Sequence, residues 1–164
     1  MGFLDSLVSS LRLPRKKAMF HLNRKGMTNT ILYMFTLLSL LFLPDLILTI
    51  QHLDVRLQEV SRGLYIFQVL FFYPLFIIFM ILTGISILAG GALLLKSLLK
   101  RKLIYQQLWK MVSYASTLPL IISVILKHTP VPNWISFLLF VTILFVYIYR
   151  MISIYPKLPQ KRVS

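Results

Sequence analysis

The sequence predicts an all-α integral membrane protein: a four-transmembrane-helix bundle, N-in and C-in, with an N-terminal amphipathic helix. Three observations predict it. Of 164 residues, 58% are hydrophobic, and the mean hydropathy is +0.81, whereas a soluble domain is roughly 45–50% apolar. The apolar residues come in blocks of about 20, which is what a ~30 Å hydrocarbon core requires at 1.5 Å per residue. The 18 Lys and Arg residues face only 4 Asp and Glu, and they cluster beside those blocks.

In a soluble protein a net charge of +14 would point to nucleic acid. Beside apolar spans it marks segments held in the cytoplasm and drawn to anionic lipid. The expected partner is therefore the lipid bilayer, in a bacterial cytoplasmic membrane, and not nucleic acid. The chain has no cysteine, so disulfides, thiolate metal sites and Cys nucleophiles are excluded.

Residues 1–26 form an amphipathic and basic arm. In MGFLDSLVSSLRL, Phe3, Leu4, Leu7, Val8 and Leu11 fall on one helical face, and Asp5, Ser6, Ser9, Ser10 and Arg12 on the other. This predicts a short helix, lying in the membrane interface or docked on the spans. It is not a secretory signal, because the basic residues Arg12, Arg15, Lys16 and Lys17 follow the apolar positions instead of preceding them. Gly2 and Ser6 fit the N-myristoylation pattern, but the spans already anchor the chain.

The transmembrane domain covers 27–154, with spans at about 27–50, 74–95, 105–126 and 134–154. Pro44 and Asp45 lie near the far end of the first span, where an acid is tolerable close to the headgroups. The loop 51–63 balances Asp54, Arg56, Glu59 and Arg62, and Leu53, Leu57 and Val60 suit a short surface helix. Residues 64–95 carry no charge, yet 32 residues of straight helix would run ~48 Å. Pro74 offers a break, leaving 64–73 as an aromatic interfacial approach. Lys96, Lys100, Arg101 and Lys102 make a basic cytoplasmic loop. The third span carries Lys110 early and Pro119 midway, a tight turn fills 127–133, and residues 155–164 form a basic tail.

Short-loop Lys and Arg set orientation. The arm has six, the 96–102 loop four, and the C-terminal end four (Arg150, Lys157, Lys161 and Arg162). With four spans these fourteen share one side, against Arg56, Arg62 and Lys127 on the other. Lys110 completes the 18 and can snorkel to the basic loop.

Thr83, Ser86 and Gly90 share a stripe on the second span, next to Gly91. Ser113, Ser116 and Thr117 give the third span a matching small face. Such faces let helix backbones approach closely in lipid, within the bundle or against another subunit. Asp45 is the one acid in or near a span and the candidate intramembrane polar residue. No catalytic constellation is visible: the histidines are scattered, with no metal-ligand spacing, and there is no phosphate loop or paired carboxylates. The expectation is a protein that is not an enzyme and needs no cofactor.

The stretch FIIFMILTGISILAGGALLLKSLLKRKLIYQQLWKMVSYASTLPLIISVIL, above all its junction from Lys100 to Pro119, resembles a Firmicute membrane family of unknown function. So does PRKKAMFHLNRKGMTNTILYMF at the start of the first span. Some members of that family carry the label maltodextrin-utilisation protein MalA, and it is grouped distantly with Yip-type membrane proteins. The resemblance implies a multi-pass protein with no known catalytic residues and a link to maltodextrin uptake. One departure is the loop from Gln51 to Gly63, which stands where members usually carry a longer extracellular insert. The functional expectation is an accessory or interaction subunit of a membrane complex, with a membrane-protein partner or as a homo-oligomer. A small transporter or channel component, and a lipid-interacting or membrane-shaping protein, are the alternatives.

Overall fold

The computed structural model describes residues 2–51 and 62–157. The surface helix expected on Leu53, Leu57 and Val60, the charges Asp54, Arg56 and Glu59, and the tail beyond Lys157 lie outside the described residues. The described chain is helical, with one isolated antiparallel bridge pairing Arg101 with Lys157. In order the helices are α1 (Phe3–Leu11), α2 (Lys16–Asn23), α3 (Met27–Gln51), α4 (Arg62–Leu98), α5 (Tyr105–Ala115), α6 (Thr117–Lys127) and α7 (Asn133–Ile154). Among the described residues, four stretches are long and apolar enough to cross a membrane: Met27–Gln51, Gly63–Leu98, Tyr105–Lys127 and Asn133–Ile154.

The third of these stretches is the central one. It is 61% buried, against 22–28% for the others, and its α5 half touches α2, α3, α4 and α7. Leu108, Trp109, Met111, Val112, Tyr114 and Ala115 are buried there. The other spans turn rows of Leu, Ile and Phe outward, as lipid-facing helices do.

Three local features differ from the sequence expectation, each for a physical reason. The basic arm contains a second helix, α2, because Ala18, Met19 and Leu22 form an apolar stripe that is buried in the bundle. The third span is broken at Ser116. Pro119 has no N–H for the Ala115 carbonyl and its ring crowds that carbonyl, while Ser116 N still reaches Val112 O and Leu120 N reaches Ser116 O, both at 2.9 Å. Finally, α4 runs unbroken through Pro74 for 37 residues. Residues 64–73 are thus part of one helix about 55 Å long, not a separate interfacial segment.

The end of α4 is built by its backbone. Arg101 N–H bonds Lys96 O at 3.2 Å while Lys100 takes φ 48°, the 6→1 closure of a Schellman turn. Glycine usually fills that left-handed position, and a side chain there costs about 1–3 kcal/mol. The turn reverses the chain sharply and lets Lys102 N–H reach Pro156 O at 3.2 Å.

Candidate functional site

Polar side chains gather at one end of the bundle, where α1, α2, the α4–α5 turn and the end of α7 meet. Lys25 is 8% exposed. Its ammonium donates to Asp5 Oδ2 and to Ser6 Oγ, each at 2.8 Å. His21 Nε2 lies 3.8 Å from the same carboxylate oxygen, and Ser9 Oγ lies 3.4 Å from His21 Nδ1. The hydrogen bond from Lys25 holds the Asp5 carboxyl below the usual carboxylate range, against a smaller opposing effect of burial. Lys110, on α5, donates to Asn23 O at 2.5 Å and to Lys25 O at 3.0 Å. It thus caps the last carbonyl of α2 and a second carbonyl just beyond the helix, where a cation also suits the helix dipole. Asn23 Nδ2 in turn donates to Tyr155 OH at 2.7 Å, and Arg101 donates to Tyr155 O. The N-terminal arm, the basic turn and the end of α7 are therefore one hydrogen-bonded unit.

Two interlocked pairs extend this unit into the spans. Thr30 and Tyr33 stand one turn apart on α3, and Tyr114 and Thr117 stand three apart across the Ser116 break. Thr30 Oγ1 meets Tyr114 OH at 3.1 Å and Tyr33 OH meets Thr117 Oγ1 at 2.8 Å. All four residues are buried. Each hydroxyl has a partner, so the seam is closed polar packing of the kind that joins helices in lipid. Sequence reasoning missed Thr30, Tyr33 and Tyr114. The available signal was a Thr and a Tyr three residues apart in two separate apolar spans.

The residues singled out in the sequence fall in different places. Thr117 is in this seam. Ser113 and Ser116 are buried and bond back to Trp109 O and Val112 O. Ser86 accepts from Trp109 Nε1 at 3.3 Å, so α4 and α5 do meet there, but Thr83 is exposed. A Cβ on Gly90 would meet nothing within 4 Å, whereas one on Gly91 would lie 2.8 Å from Phe145 Cζ. Gly91 therefore marks a close approach of α4 to α7, on a different side from Ser86. Asp45 lies at the far end of the bundle, paired with Lys127 Nζ at 2.5 Å. It also lines an open cleft of about 380 Å³ between α3 and α4, with Phe42, Tyr73 and Phe76.

Lys96, Lys100 and Lys102 stand with Arg12, Arg15, Lys16, Lys17, Arg24, Arg150 and Lys157 at the end held by Lys25. None of these contacts a carboxylate among the described residues. Nor do three His, Asp or Glu side chains gather there in a way that could hold a metal ion. The arrangement is a preponderantly cationic platform on an apolar bundle.

The profile of a protein family of unknown function, DUF1189, matches residues 56–152, more than half of the chain. The chain belongs to that family. No curated protein and no solved structure matches the chain.

Proposed function

We propose that this member of the DUF1189 family is a non-enzymatic accessory subunit that works by lateral association with another membrane protein. The observation that carries this reading is the outer face of α4. Leu64, Phe67, Phe71, Phe72, Phe76 and Phe79 are each more than half exposed, and Phe67 and Phe71 stack with ring centroids 6.2 Å apart. Exposed apolar residues continue along this helix to Leu94 and Leu98. A helix about 55 Å long outruns a ~30 Å core, and a row of rigid aromatic rings suits a protein groove. The small-residue faces serve packing in the same scheme. In this reading the chain sits in a bacterial cytoplasmic membrane with its cationic platform in the cytoplasm. The resemblance to maltodextrin-utilisation proteins makes a sugar-uptake complex the first partner to test.

A photoreactive phenylalanine analogue at Phe67 or Phe76, irradiated in cells, should give a discrete protein adduct. The same group at Phe137 on α7 should give lipid adducts alone. Lipid adducts alone at every position would contradict the proposal.

A second reading, a lipid-interacting protein, is favoured by the unpaired cations of the platform. Each Lys or Arg near an anionic surface contributes about 1 kcal/mol to membrane attraction.

A further inference from the structure

Between α4 and α7, at the cationic end, lies an open groove of about 390 Å³ lined by Leu95, Thr142, Phe145, Val146, Tyr149 and Arg150. Its walls are apolar along their length. Thr142 Oγ1 donates to Leu138 O at 2.8 Å, so its hydroxyl is already used within α7. Arg150 stands at one end. It is exposed, lies four residues before the end of α7, and has no ion pair or hydrogen bond within the described residues. Lys96 follows Leu95 on α4 and is also unpaired.

An unpaired guanidinium inside a spanning helix needs an anion or water at the headgroup level. Arginine matches phosphate with two parallel hydrogen bonds. From Arg150 to Thr142 the groove runs two helical turns, about 12 Å, into the apolar zone. A free anion would satisfy Arg150 and leave that length bare, and a neutral lipid would fill the length with less to offer the charge.

We propose that the α4–α7 groove binds one anionic phospholipid, with its phosphate on Arg150 and one acyl chain along Leu95, Phe145 and Val146. The lipid would cover the apolar groove and neutralise the guanidinium in one binding event. This site lies on the α7 side of α4 and does not depend on the proposed partner. Basic pockets between spanning helices on the cytoplasmic side recognise anionic head groups by this chemistry.

The chain has no cysteine, so Val146→Cys carries a single environment-sensitive fluorophore without further changes, and Leu95→Cys is the second site if that variant folds poorly. Purified protein in mixed micelles is titrated with brominated phosphatidylglycerol or brominated phosphatidylcholine, and quenching is read. The expected result is a preference of about five-fold for phosphatidylglycerol at Val146, the equivalent of one ~1 kcal/mol contact. The preference should fall to parity in Arg150→Gln and persist when Lys16 and Lys17 are both changed to Gln. At Phe137→Cys the two lipids should quench equally. Parity at Val146, or a preference that survives Arg150→Gln, would overturn the assignment. So would loss of quenching on adding inorganic phosphate alone, which would mean a free anion. Absence of quenching by either lipid in a dimeric preparation would give the groove to a second copy.

Discussion

Lys25 holds its ammonium out of water against a half-exposed carboxylate, so the docking of α1 depends on the charge of Asp5. Because the Asp5 carboxyl is held below its ordinary value by Lys25, the contact contributes fully above the unfolded carboxylate range, near pH 4. It is lost as pH falls through the lower folded value. The other titratable side chain facing Asp5 among the described residues is His21, at 3.8 Å. Amide hydrogen exchange over Phe3–Leu11, corrected for the intrinsic rate, should therefore quicken as the pH drops below that range. Asp5→Asn should show the same loosening at neutral pH, and a protection pattern indifferent to both would show that α1 is held by its other contacts. Those contacts are unusual for an amphipathic helix. Ser6 and Ser10 are buried, Phe3 and Leu7 pack partly against the core with the Phe3 ring 5.5 Å from that of Tyr33, and Leu4, Val8 and Leu11 are exposed, so the docked side mixes polar and apolar residues.

At the scale of elements, two close contacts decide how the spans fit. The first is the seam between α3 and the α5–α6 pair. A double-mutant cycle with Tyr33→Phe and Thr117→Val should give a coupling of about 0.6 kcal/mol, the average for hydroxyl pairs between membrane helices, read from unfolding in mixed micelles. In a Pro119→Leu background the missing N–H is restored, α5 and α6 join, and Thr117 turns away from Tyr33. The coupling should then vanish, and an undiminished value would show that the break at Ser116 does not set the register. The second contact is Gly91 against Phe145. Gly91→Ala should be less stable than Gly90→Ala by about 1 kcal/mol, since only the first drives a ring from its place. Equal stabilities would mean that Phe145 moves aside freely. The first, third and fourth apolar stretches were legible in the sequence from their length, but α4 was not, because Pro74 suggested a break that the helix does not make. The α2 helix was missed although the spacing of Ala18, Met19 and Leu22 carried a signal for it, because the basic residues around them dominate the segment. The seam was not legible, because both hydrogen bonds join residues 84 positions apart, and nothing local says which hydroxyl meets which. The same holds for Lys110, whose acceptors, Asn23 at the end of α2 and Lys25 just beyond it, lie 87 and 85 residues earlier.

Across the whole molecule, charge and structure agree on which parts lie together. The N-terminal arm, the Lys96–Lys102 turn and the end of α7 are hydrogen-bonded to one another, while Asp45 and Lys127 pair at the opposite end. An even number of spans brings both termini to one end, and from the excess of Lys and Arg there we propose that this end faces the cytoplasm. The partner, the lipid and the chemistry of the platform all rest on that orientation. Because the chain lacks cysteine, it can be tested with single-cysteine variants and a membrane-impermeant maleimide. His128→Cys should be labelled in intact cells, and Lys102→Cys and Lys157→Cys only after the membrane is opened. Labelling of Lys102→Cys in intact cells, with His128→Cys protected, would contradict that orientation.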